Sequence, residues 1–153
     1  MKEQFEQYAS IIEEALLFLG IAPEAARSSQ PFNWVLRKGT IETLILIRQV
    51  PSPNGMQLMF YALSPIMAVP EDDTTKNSLF AELLSLNHSS PNCCFSEYEN
   101  KIFLRSSRYI YGLEKDEAVM IITDIVKSSE VIQKKLGERY NMKKVEKNDT
   151  AAT

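Results

Sequence analysis

The segment from Ile41 to Leu63 restricts the possible folds more than any other. Ile41–Val50 is a long apolar run, Pro51-Ser52-Pro53-Asn54-Gly55 is a turn, and Gln57–Leu63 returns. Asn-Gly is a strong short hairpin signal. An Asn54-Gly55 loop sets Val50 opposite Met59, Arg48 opposite Tyr61 and Leu46 opposite Leu63. Side chains alternate between faces along a strand. One face then carries Leu44, Leu46, Val50, Met59, Tyr61 and Leu63, and the other Ile41, Ile45, Ile47, Leu58, Phe60 and Ala62. Both are apolar, whereas a sheet covered on one side alternates apolar with polar. Burial stabilises by roughly 1.5–3 kcal/mol per large side chain, and an apolar face left in water promotes association. The second face needs a cover. The candidates are the first helix on one side with the last on the other, a second copy of the chain, or a partner polypeptide.

The flanking segments supply helices and further strands. Phe5, Tyr8, Ile12, Ala15, Leu16 and Leu19 recur at helical spacing, and Gly20 stands where a left-handed cap is expected, so the first helix spans about 2–19. Ile21 to Asn33 reads as a linker with one helical turn at Glu24–Arg27, and Phe32–Lys38 as a strand ending at Gly39. Ser64–Val69 continues the return strand past Pro65 only if it lies at an edge. Glu71–Thr75 supplies helix-starting residues for a short helix carrying Leu79, Phe80, Leu83, Leu84 and Asn87. His88–Asn92 is a loop, and Cys93–Tyr98 and Ile102–Ser107 are short strands about a turn in which Asn100 tolerates the left-handed conformation. Val119, Ile122, Ile125, Val126, Ser129, Ile132 and Leu136 mark a long last helix. The order is α-β-β-β-α-β-β-α, an α+β domain over 1–140 with an antiparallel sheet and helices packed on it. Residues 141–153 are polar and are expected to be disordered.

Composition limits the function. At 153 residues the chain fits one domain. Its net charge of −3 argues against a nucleic-acid binder. A single histidine and two cysteines exclude a multi-imidazole metal site and a disulfide framework. The acidic amphipathic start predicts no secretory leader, no apolar run is long enough to span a bilayer, and the expected compartment is the cytoplasm.

Reaction chemistry finds little support. Cys93 and Cys94 are adjacent in a strand, so their side chains point to opposite faces. His88 with Cys93 lacks an identifiable orienting group. Glu71, Asp72 and Asp73 lack the donor spacing of a calcium loop. Arg105 and Arg108 beside Tyr109 and Tyr111 could stack on nucleotides or pair with an acidic peptide, but the cluster is small. No glycine run cradles a phosphate. Trp34 is expected to fill the core under the first helix. No catalytic residue, cofactor or metal ligand is assigned.

Between Leu79 and Leu136 the chain has an apolar helix ending Leu86-Asn87, a proline loop, the hairpin Cys94–Arg105, Gly112-Leu113, an acidic helix start at Glu114–Glu117 and a long apolar helix. This pattern resembles the YbjN-like family, whose fold is similar to that of type III secretion chaperones, and the resemblance covers about residues 5–138. It implies a small α+β domain, often dimeric and without known catalytic residues. Its secretion-chaperone relatives hold extended client segments against apolar patches.

The resulting expectation is a non-enzymatic, homodimeric, chaperone-like or adaptor module. It binds a polypeptide partner through sheet faces or a strand edge, with Leu44, Leu46, Val50, Met59, Tyr61 and Leu63 as the contact set, and Leu46→Asp breaks the assembly without unfolding the chain. The alternative is a small-ligand-binding regulatory domain, with Arg37, Arg48 and Arg105 as anion contacts.

Overall fold

A computed structural model describes residues 2–140; the tail expected over 141–153 lies outside the described residues. Helix α1 spans Lys2–Phe18, the short α2 Pro23–Ala26, β1 Asn33–Lys38, β2 Ile41–Ser52 and β3 Gly55–Ala68. They are followed by α3 at Asp73–Ser89, β4 at Cys94–Tyr98, β5 at Lys101–Tyr109 and α4 at Lys115–Tyr140. The five strands form one antiparallel sheet in the order β1-β2-β3-β5-β4.

Local chemistry sets the boundaries. Gly20 is left-handed (φ 77°), with its N–H donated to Leu17 O at 2.9 Å and that of Ile21 to Leu16 O at 2.9 Å. This is a Schellman closure, which satisfies the last carbonyls of α1. Phe32 is left-handed (φ 58°) and stacks on Phe5 of α1 with ring centroids 4.8 Å apart, so β1 starts one residue later than the pattern suggests. Asp72 caps α3 by accepting the Thr75 N–H at 2.8 Å. This helix is longer than its apolar pattern indicates, because Asp73–Ser78 carries no large apolar side chain and only Leu79 and Leu83 are buried. Glu99 and Asn100 are both left-handed (φ 50° and 59°) and join β4 to β5, as a two-residue primed turn requires.

The central hairpin differs in register from the sequence expectation. Ser52 pairs with Gly55, Arg48 with Met59 and Leu46 with Tyr61, so the loop is Pro53-Asn54. A primed turn at Asn54-Gly55 needs positive φ at both residues, yet only Gly55 has it (99°). Pro53, with φ fixed by its ring, occupies the first loop position. The shift is two residues, and since only an odd slip exchanges faces, the two apolar sets are unchanged. The β3 strand lies inside the sheet, but beyond Leu63 it pairs only with β5, and the register shifts between Pro65 and Met67. Pro65 therefore stands at a locally open, bulged stretch where its missing N–H is tolerated.

One face of the sheet is the core. Ile45, Ile47, Phe60 and Ala62 are at most 1% exposed and join Ile12 and Leu16 of α1, Leu79 and Leu83 of α3 and Ile122 and Ile125 of α4 in a single cluster. Helix α4 lies on β3 and β2, and α1 packs along α4. Trp34 projects from β1 into this layer and donates Nε1–H to Glu13 of α1 at 3.2 Å, which also accepts from Arg27. The first and last helices thus share one face, which rules out the arrangement with one on each side.

Two polar links join neighbouring elements, one between strands and one between helices. Thr43 and Ser64 share a hydroxyl–hydroxyl bond of 2.7 Å on the core face, both essentially unexposed. Thr43→Val leaves the Ser64 hydroxyl buried without its partner, at an expected cost of about 1–3 kcal/mol. The double variant Thr43→Val/Ser64→Ala should recover most of that, as read by urea denaturation. At the far end, Glu82 of α3 accepts from Tyr140 Oη at 2.7 Å and from Arg139, both on α4. Burial pushes the Glu82 carboxyl up, but Tyr140 and Arg139 outweigh it and hold the carboxyl below the usual value of 4.5. A depressed carboxylate stabilises the fold above its unfolded pKa, and that contribution is lost as pH falls through the folded value. The stability gap between wild type and Glu82→Gln, present at pH 7, should therefore close in acid below the folded pKa, as measured by denaturation across pH.

Candidate protein-interaction face

The sheet's other face has no helix on it among the described residues. Its membership follows from register. Val35, Leu44, Leu63, Arg105 and Cys94 form one row across the sheet, Asn33, Leu46, Tyr61 and Ser107 a second, and Arg48, Met59 and Tyr109 a third. All six residues proposed from sequence stand here. Leu44, Val50, Met59, Tyr61 and Leu63 are half-buried, shielded only by their strand neighbours. Leu46 is 8% exposed, flanked by Asn33 and Tyr61, and lies outside the core cluster. An aspartate at position 46 would be largely withdrawn from water, so Leu46→Asp is not a clean probe of the surface. Leu44, more open and on the same face, serves instead.

The contact set expected from sequence leaves out the outer thirds of this face, although the sequence singles out Arg105 and Tyr109 as candidate contacts of another kind. Val35 extends it over β1, and Phe103, Arg105 and Tyr109 extend it over β5, with Tyr109 49% exposed. Alternation within Lys101–Tyr109 hints at such a set, but which half faces the helices depends on the pairing of β5 with β3, across more than thirty residues of intervening chain.

The charged groups on this face are basic, apart from Glu42. Arg37 is paired with Glu42 at 3.2 Å. Arg48 donates Nη1–H to Asn33 Oδ1 at 2.8 Å and to its neighbour's carbonyl at 3.1 Å, and meets no carboxylate among the described residues. The Arg105 guanidinium lies 5.5 Å from the Tyr61 ring centroid and donates Nη2–H to Ser107 Oγ at 3.0 Å. Its Nε is buried and finds no acceptor among the described residues. The three arginines share one face without converging on a point.

Both outer strands are partly capped. The Asn87 side chain bonds the N–H and C=O of Phe95 at 2.6 and 3.1 Å, so that an amide from α3 stands in for a strand beside β4. Arg27 bridges Trp34, and Ser28 N–H bonds Asn33 O at 3.0 Å, which covers the start of β1. The open face is thus more available to a partner than these strand edges. The α3 helix also exposes Leu84 and Leu86 beside β4, whose Tyr98 is 64% exposed.

The other candidates are dispersed. His88 is exposed near the end of α3, while Cys93 is half-buried, with Sγ 3.1 Å from Ser90 Oγ. Cys94 is exposed on the open face beside Arg105, so the cysteines do point to opposite sides. Among the described residues no group of His, Cys, Asp or Glu is placed to hold a metal, and no helix is long and apolar enough to cross a membrane. A cavity of about 470 Å³ opens between α2, β1 and α4. Leu19, Ile21, Leu36, Ile41 and Val126 line it, with Lys38 and Lys127 at its rim.

No protein-family model matches the chain, and no curated protein matches its sequence. Solved structures do match. A chain of the ExsC–ExsE complex superposes with a TM-score of 0.60 at 12% identity, covering 84% of this chain and 92% of that one. The fold is that of the type III secretion chaperones and of YbjN. The Yersinia pestis type III secretion chaperone SycH, in complex with a fragment of YscM2, gives 0.55 at 14% identity over 82% of this chain and 98% of that one. YbjN from E. coli gives 0.52 at 14% identity over 86% and 91%. The first two structures are complexes with polypeptide partners. The chaperone-like fold and the α+β class expected from sequence are both present.

Proposed function

We propose that the chain is a non-enzymatic, chaperone-like protein-binding module that holds a polypeptide partner against the open sheet face. The observation that carries this reading is the apolar set on that face, around Leu44, Met59, Tyr61 and Leu63, with no helix packed on it among the described residues. Similarity to chaperones seen with bound polypeptides supports it. The module acts as a homodimer in the cytoplasm. Leu84 of α3 is exposed apart from the apolar rows of that face and offers a contact for a second copy while the face seats the partner. Affinity capture from native lysate with wild type and Leu44→Asp, read by mass spectrometry, tests the reading. A polypeptide retained by wild type and lost with the variant is expected. Equal retention by both would refute the assignment of the face. The cavity beside α2 supports the second reading, a domain that binds a small apolar ligand. Ligand-dependent thermal shifts that Leu36→Trp abolishes and Leu44→Asp leaves intact would favour it.

A further inference from the structure

We infer that the partner segment seated on the open face is acidic as well as apolar, carrying two carboxylates that pair with Arg48 and Arg105. The inference rests on the docking role proposed for that face and adds the chemistry of what docks.

Charge is the first argument. The chain has a net charge of −3, yet the registers place Arg37, Arg48, Lys101 and Arg105 on this face against Glu42 as its only carboxylate among the described residues. Glu42 is already held by Arg37. The face is therefore a basic patch on an acidic protein, and such complementarity selects partners and fixes register.

The state of the two arginines is the second. Arg105 stacks on Tyr61 and is bonded to Ser107, and among the described residues its buried Nε has no acceptor and its guanidinium, partly withdrawn from water, no counter-charge. Arg48 is steadied by the Asn33 amide, a neutral partner. Both are pre-ordered, which lowers the entropy lost when a carboxylate binds, and the planar guanidinium takes a carboxylate in a two-point contact.

Spacing is the third. Arg48 and Arg105 lie two strands apart across the sheet and four residues apart along it, a Cα separation of roughly 16 Å from strand geometry. Leu46, Tyr61 and Leu63 fill the ground between. An extended segment rises about 3.3 Å per residue and turns alternate side chains to one side. Carboxylates about four to six residues apart on that side reach both arginines, with apolar side chains between them on the leucines and Tyr61.

The test is a random dodecapeptide phage library panned against the full chain as wild type, Leu44→Asp and the double variant Arg48→Gln/Arg105→Gln, each confirmed folded by circular dichroism. An enriched peptide is then synthesised with its own carboxylates and with glutamine in their place, and titrated by fluorescence anisotropy at low and high salt. The expected result is enrichment of Asp or Glu at that spacing around apolar residues. The acidic peptide should bind on the order of ten-fold or more tighter than its glutamine form, with the difference reduced by salt and absent in the double arginine variant. If acidic and glutamine peptides bind wild type equally and both are lost with Leu44→Asp, the face docks polypeptides by apolar contact alone and the inference is overturned while the docking reading stands. If no peptide is enriched, or enriched peptides bind Leu44→Asp as well as wild type, both readings fail. If wild type is a dimer that Leu44→Asp dissociates and nothing is enriched, the occupant is a second copy and the inference is overturned.

Discussion

Replacing Phe60 with alanine should cost the chain about 3–5 kcal/mol, the range for deleting a large aromatic side chain from a core that cannot collapse around the void. Phe60 is fully buried in mid-β3 on the face where α4 lies, and belongs to the cluster that joins three helices to the sheet. A domain of this size has about 5–15 kcal/mol of total stability, so the variant should melt on the order of 10 °C lower. Chemical denaturation with the slope unchanged is the check. A loss below about 1 kcal/mol would mean that this face is not the core and that the helices sit elsewhere.

The neighbouring strand should answer in the opposite way on the other side of the sheet. Leu44→Asp is expected to remove partner retention while costing only about 1 kcal/mol of stability, roughly half the burial term for a leucine. Leu44 is half-buried between Val35 and Leu63 and touches neither the core cluster nor the arginine contacts. Its carboxylate would remain in reach of water in the free protein, and docking of an apolar segment would desolvate it without a partner. Binding should therefore fall by far more than folding. The pair of variants, one strand apart and on opposite faces, separates what holds the fold from what meets a partner. Equal destabilisation by both would contradict that separation.

Much of this organisation is legible in the sequence, because its causes are local. The alternation through Ile41–Leu63 gives two apolar faces whichever even register the hairpin takes, so the six residues fall on one face even though the loop is Pro53-Asn54 and not Asn54-Gly55. The Gly20 closure and the left-handed Asn100 follow from residue type in the same way. The choice of core face is not legible, since it depends on α1 and α4 packing on the same side, a contact between the two ends of the chain. The contribution of β5 is hidden for a related reason. Helix α3 and the β4 hairpin intervene between β3 and β5, and only their pairing puts Arg105 over Tyr61. The full length of α3 is obscured by a polar first half held by the Asp72 cap, where apolar periodicity carries no signal. The near-complete burial of Leu46 depends on Asn33 across the β1–β2 pairing, which a hairpin pattern alone does not include.

The most direct measurement is site-specific photo-crosslinking in living cells, with a benzophenone amino acid at Tyr61 on the open face and, separately, at Met120 on the exposed side of α4. The account predicts a polypeptide adduct from position 61 and none of that species from position 120. An adduct from 120 with none from 61 would place the binding surface on the helical layer and contradict it.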